Sequence, residues 1–176
     1  YRRIETVSVT SPGPPPVKPA FLPVASTQMR TALARDRGGE ASAVAAGFGP
    51  GPLTLGRPGG EKRVPDRLRG PEGGVAVRWT PQRSLARLIR AHGDPITSTS
   101  ANRPGVPPAM AADQIVAQLS EAITSGKLRV LDGGRLKESQ PSTVVDCTGR
   151  LPRVIRPGAI SAAVLRESVP DLAGDA

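Results

Sequence analysis

Apolar residues in this chain come in short runs broken by glycine, proline and charge, and their spacing changes from segment to segment. Phe21, Leu22, Val24 and Ala25 form a brief run suited to a buried strand. Met29, Leu33 and Ala34 follow at helical spacing, with Ser26 or Thr27 placed to cap the helix. The alanine-rich stretch from Glu40 to Gly47 predicts a second short helix, stopped by the Gly-Pro-Gly-Pro of residues 49 to 52. Leu53 to Leu55 then reads as a strand. Residues 56 to 72 carry no apolar stripe and read as an exposed basic loop.

Val75, Ala76 and Val77 predict a buried strand leading to Arg78, and Leu85, Leu88 and Ile89 stand at helical spacing up to Gly93. Pro95 to Thr99 predicts a short strand. After a proline-rich loop, Ile115, Leu119 and Ile123 mark one face of a helix from about Ala112 to Thr124, with Gly126 as its stop. Leu128 to Leu131, Thr143 to Val145, and Val154 with Ile155 predict three further strands, separated by turn chemistry. Strands interleaved with helices imply an α/β fold built on a mixed sheet. Tyr1 to about Lys18 has no helical period and holds a Pro-Gly-Pro-Pro-Pro cluster, so it reads as an extended or disordered lead.

Composition changes this picture in three ways. Aromatic residues are 2% of the 176-residue chain while glycine and proline number 20 each, as expected where part of a chain does not pack. A formal charge of +9 favours phosphate-bearing partners such as nucleotides or RNA, although a composition shifted toward Arg, Ala, Gly and Pro produces the same balance. Cys147 and His92 are each the sole residue of their type, so neither a disulfide within the sequence nor a Cys/His metal site follows. No run of about 18 apolar residues occurs, and a soluble cytoplasmic protein without a membrane partner is the expectation.

The richest chemistry lies at Ser98-Thr99-Ser100-Ala101-Asn102, where a strand gives way to a loop. Three hydroxyls and an amide suit phosphate oxygens or an amino-acid carboxylate; the same residues also suit a simple Ser/Thr turn. Arg78 leaves the end of a buried strand, where a bidentate grip on an anion is natural, and Val154-Ile155-Arg156-Pro157-Gly158 repeats that arrangement. Ser142 and Thr143 add hydroxyls after Pro141, or cap a strand. GxxxxGK[ST], GxGxxG and GxSxG are all absent, and no acid–base pair stands out. Catalytic side chains in the strict sense are therefore not expected. Any chemistry would rest on positioning and charge neutralisation.

Five segments resemble, in order, those of the threonylcarbamoyl-AMP synthase (YrdC-like) family. They are Phe48-Gly49-Pro50-Gly51-Pro52-Leu53-Thr54-Leu55, Val75-Ala76-Val77-Arg78, Ser98 to Asn102, Gln140 to Asp146, and Ile155-Arg156-Pro157-Gly158-Ala159-Ile160. The resemblance implies a twisted mixed sheet with flanking helices around a positively charged cavity. It implies conversion of L-threonine, bicarbonate and ATP into threonylcarbamoyl-AMP and pyrophosphate, ATP being a substrate and magnesium accompanying its phosphates. The product would pass to tRNA threonylcarbamoyl transferase machinery. By position, Arg78 and Ser98 would hold threonine with Ser142 nearby, while Ser100, Asn102, Pro108 and Arg156 would face the nucleotide.

Residues 19 to 161 would form the YrdC-like domain, with 1 to 18 a lead unlike the family and 162 to 176 a C-terminal tail. The family's N-terminal strand-turn and KxR motif find no match beyond Lys18-Pro19, Gly49 stands where a Trp is usual, and Thr80 stands near a usual Pro. That departure implies weakened ATP affinity, because triphosphate charge is left under-neutralised. Two other readings stay open: a synthase using other basic residues such as Lys62 and Arg63, and a non-catalytic nucleotide- or double-stranded-RNA-binding module.

Overall fold

The computed structural model describes residues 21–33, 39–59, 64–70 and 73–174. They divide into two compact units: one within Pro19–Ser98 and Gln140–Ala176, the other with Thr99–Ser139 as its described part. The expected lead over residues 1 to 18, and the alternative cations Lys62 and Arg63, lie outside the described residues.

The first unit is a five-stranded mixed sheet with flanking helices. Its strands are β1 (Phe21–Val24), β2 (Leu53–Pro58), β3 (Gly74–Trp79), β4 (Thr143–Asp146) and β5 (Arg153–Arg156), in spatial order β1-β3-β2-β4-β5. β1 runs parallel to β3 and β2 parallel to β4, while β2–β3 and β4–β5 are antiparallel. Strand alternation sorts the side chains onto two unlike faces. One face carries Leu22, Val24, Leu53, Leu55, Val75, Val77 and Val145, all buried. The other carries Phe21, Pro23, Ala76, Gly56 and Val144 together with the polar Thr54, Arg78 and Ser142.

Helices close the apolar face. α1 (Thr27–Leu33) brings Leu33 and Met29 to Leu22, Val24, Val75 and Val77, and the Ser26 hydroxyl accepts from the Met29 amide at its start, as the sequence suggests. α2 (Gly39–Gly47) and α5 (Ala162–Ser168) join Leu53, Leu55, Val145 and Cys147 through Val44, Ala45 and Leu165. Leu165, Val169 and Leu172 are all buried, so residues beyond 161 contribute to this core. Each such valine or leucine contributes about 1.5–3 kcal/mol when buried. α3 (Arg83–His92) packs Ala86 and Ile89 on Ala25 and ends at Gly93, whose φ of +88° permits the left-handed cap.

Two expected strands and one expected loop differ. Pro95 to Thr99 forms only an isolated bridge between Ser98 and Phe21. Leu128 to Leu131 is irregular, with Leu131 84% exposed, because no neighbouring strand pairs with it among the described residues. Of the loop expected over 56 to 72, β2 takes the first part: Arg57 is buried on the strand and Val64 enters the core beside Leu22. In the second unit α4 (Ala112–Thr124) has the expected bounds, and Gly126 follows it with φ +71°.

The segments around Ser142 and Gly158 are clasped together. The Thr143 hydroxyl donates to the Ile160 carbonyl at 2.6 Å and accepts from the Ile160 amide at 3.0 Å, while the Ala159 amide donates to the Pro141 carbonyl at 2.9 Å. A Cβ on Gly158 would stand 2.6 Å from the Ser142 carbonyl carbon and the Thr143 nitrogen, and closer still to the Pro141 oxygen. Gly158→Ala is therefore expected to cost about 1–3 kcal/mol of stability by overpacking against backbone, read from urea denaturation; an unchanged midpoint would show that the clasp yields freely.

Candidate functional site

The polar face gathers side chains from β2, β3 and β5 and from Ser142, the residue before β4. Thr54 on β2 stands opposite Arg78 on β3, one step beyond the Leu55–Val77 pair. The Thr54 and Ser142 hydroxyls share a hydrogen bond of 2.9 Å, and both residues are buried. Arg156 on β5 donates through one terminal nitrogen to the Ser142 carbonyl at 2.7 Å and to its hydroxyl at 3.0 Å. A continuous polar row thus runs Thr54, Ser142, Arg156, with Arg78 at its other end.

Regular alternation would not put Arg156 there. Val154 pairs with Val145 and packs on the apolar core, so Arg156, two residues on, would point the same way. The ladder instead shifts register between Val144 and Val145, leaving Ile155 as the extra residue, 55% exposed, and pairing Arg156 with Val144. This bulge turns the guanidinium onto the face of Ser142.

The Arg78 Nε donates to the Gly51 carbonyl at 3.1 Å. Burial first, and the like charge of Arg156 second, hold the Arg78 guanidinium below its ordinary pKa. Among the described residues neither arginine has a carboxylate partner. Two cations held near one another by neutral carbonyls and a hydroxyl make a site that an anion would complete, through fork-shaped donors that match carboxylate or phosphate oxygens.

Of the residues the sequence singles out, Arg78, Ser142 and Arg156 come together here. Ser98 belongs to the same unit and its amide donates to the Phe21 carbonyl at 3.1 Å, on the strand beside β3. Ser100, Asn102 and Pro108 lie in the second unit. There the Asn102 amide nitrogen donates to the Arg103 and Val106 carbonyls at 3.1 and 2.7 Å, and its backbone nitrogen to the Ser100 carbonyl, so this side chain shapes its own loop. Gln118 and Gln114 of α4 accept from the Arg103 and Met110 amides and fix the loop to the helix. Ser100 and Pro108 are exposed. Thr54 is the residue that sequence reasoning missed. Its signal was a hydroxyl between two leucines in a buried strand.

Comparison with known proteins places this geometry among relatives. The Sua5/YciO/YrdC family model, described as telomere recombination, matches residues 13–158. A threonylcarbamoyl-AMP synthase of Pyrococcus abyssi is 34% identical over 149 residues, covering 84% of this chain and 42% of that protein. The crystal structure of P. abyssi Sua5 complexed with L-threonine superposes with a TM-score of 0.77 at 30% identity, over 90% of this chain and 46% of that one. E. coli YciO shares the fold, with a TM-score of 0.67 at 24% identity over 83% of this chain and 68% of that one. The chain spans about half the length of the curated relatives it matches.

Removing one of two like charges from a half-buried site should not weaken the fold. Arg78→Met is expected to hold stability within about 1 kcal/mol of the parent, or raise it, while lowering affinity for the carboxylate ligand L-threonine at least tenfold in calorimetry. A large loss of stability would mean that the Gly51 contact, rather than anion binding, is the main task of Arg78.

Proposed function

Because this chain belongs to the Sua5/YciO/YrdC family, we propose that it is an L-threonylcarbamoyladenylate synthase, joining L-threonine, bicarbonate and ATP with release of pyrophosphate. The observation that carries this reading is the pair of guanidiniums, Arg78 and Arg156, facing one polar row with no carboxylate partner among the described residues. Such a reaction needs no protein nucleophile. The threonine amine forms an N–C bond with the carbon of bicarbonate as water leaves, giving a carbamate. A carbamate oxygen then attacks the α-phosphorus of ATP, the bond to the bridging oxygen breaks, and pyrophosphate departs with the electron pair.

In this reading Arg78 grips the threonine carboxylate in bidentate fashion, with Ser98 and Ser142 as further threonine contacts. Arg156 takes phosphate charge, and Ser100, Asn102 and the backbone at Pro108 belong to the nucleotide side. The Ser142 hydroxyl, hydrogen-bonded to Thr54 and Arg156, holds the Arg156 guanidinium on the polar face. Positioning of this kind supplies a large part of the rate in a reaction between bound substrates. Magnesium, expected with the triphosphate, finds no group of three His, Cys, Asp or Glu to hold it among the described residues. The product is an activated acyl-adenylate for transfer to tRNA. Among the described residues no helix is long and apolar enough to cross a membrane, and a cytoplasmic setting accords with these substrates.

Pyrophosphate release from ATP, followed with and without L-threonine and bicarbonate, tests the proposal. Release is expected to need both co-substrates and to fall about 100-fold in Arg78→Ala, since truncating one side of a desolvated charge pair costs on the order of 3 kcal/mol. No release from the folded chain, with L-threonine binding retained, would instead favour a binding module without catalysis.

A further inference from the structure

Thr54 places a hydroxyl where packing asks only for shape. It sits between Leu53 and Leu55 on β2, is 2% exposed, and has the branched outline of a valine. The pairing of β2 with β4 does not need it. That ladder runs from Leu53–Thr143 to Gly56–Asp146, and the Thr143 amide donates to the Pro52 carbonyl at 3.0 Å. Replacing both members of a buried hydroxyl pair by apolar groups of the same shape is close to neutral for stability. Yet the strand order puts Thr54 in the middle of the polar row, with Arg78 on one side and Ser142 on the other.

The hydrogens define its role. A hydroxyl has one proton and two lone pairs, and a guanidinium has protons only, so in the 3.0 Å contact with Arg156 the Ser142 hydroxyl accepts. Among the described residues that hydroxyl has one other partner, the Thr54 hydroxyl at 2.9 Å, and the Thr54 hydroxyl has none but Ser142. One of the two hydroxyl protons therefore lies along the Thr54–Ser142 contact, and the other has no acceptor within the described protein. When Ser142 donates, the spare proton is buried on Thr54. When Thr54 donates, both lone pairs of Ser142 are filled and its own proton is left for a ligand on the polar face. We infer that Thr54 is a positioning residue that acts through Ser142. On substrate binding Thr54 donates to Ser142, and Ser142, still accepting from Arg156, donates to the carboxylate that Arg78 grips. Each hydrogen bond in such a chain polarises and strengthens the next. The inference rests on the synthase reading, in which that carboxylate belongs to threonine.

The test compares the parent with Thr54→Val, Thr54→Ser, Ser142→Ala and the double variant Thr54→Val/Ser142→Ala, with Thr54→Ala as a second variant lacking the hydroxyl. It reads L-threonine affinity by calorimetry, KM for each substrate from pyrophosphate release, and stability in urea. Thr54→Val should weaken L-threonine binding about fivefold and raise KM for threonine to match, the share of one hydrogen bond. KM for ATP should stay within about twofold of the parent, because Arg156 keeps its bond to the Ser142 carbonyl. Thr54→Ser, which restores the hydroxyl, should bind threonine as the parent does. In the Ser142→Ala background Thr54→Val should have no further effect on threonine affinity. A purely structural role predicts lost stability with threonine affinity unaltered, or the same loss of affinity in both backgrounds, and either result would overturn the inference. A parent that binds no L-threonine would overturn the synthase reading and this inference together, whereas binding in the parent that Thr54→Val leaves unchanged would overturn this inference alone.

Discussion

The polar face of the sheet depends on the register shift between β4 and β5. In a regular strand the residues that pack the core and those that face a ligand are set by parity, and a four-residue edge strand has no freedom to choose. Val154 is needed on the core beside Val145. Arg156 is needed two residues later on the opposite face, and a bulge at Ile155 is the smallest change that satisfies both. Its local cost is an isoleucine left 55% exposed on an edge strand.

The bulge works only if the chain after it is fixed, which links packing to the site. Thr143 points to the apolar side and clasps Ile160 through two hydrogen bonds, while its neighbour Ser142 points to the polar side and meets Arg156 and Thr54. Adjacent residues at the start of β4 thus hold the turn after β5 from both faces. The backbones of 141–143 and Gly158 approach so closely that no side chain fits between them. The Ser142 hydroxyl therefore reaches Arg156 from a support with little room to move.

This arrangement explains which parts were legible in the sequence. Buried strands announced by apolar runs, such as Val75 to Val77 and Thr143 to Val145, form as expected because burial and pattern agree; the helix from Ala112 to Thr124 also forms, although it buries none of its residues and kinks at Leu119. The apolar run at Leu128 to Leu131 has the same local character but gains no pairing partner, and pairing is not a local property. Arg57 misled in the opposite direction: a charge within a Gly- and Pro-rich stretch suggests solvent, yet β2 carries it to 1% exposure. At the site, Arg78 and Arg156 were visible as cations ending apolar runs. That they share a face was not, since parity alone places Arg156 with the core and a bulge leaves no mark in a four-residue strand.

The electrostatics of the row separate holding a cation from neutralising it. A carboxylate would fix Arg78 or Arg156 more firmly, but it would also occupy the fork that a ligand needs. Here the anchors are the Gly51 carbonyl, the Ser142 carbonyl and a hydroxyl, which orient the guanidiniums through neutral acceptors and leave their net charge in place. The consequence is visible on Arg78, whose charged form is disfavoured by burial and by Arg156. Repulsion of this kind is a standing cost in the unliganded protein, and an anion between the two relieves it on binding. The binding free energy of carboxylate or phosphate then includes strain already present in the fold, and lysine, a point charge without the planar fork, would bear that cost without offering the same two-pronged grip.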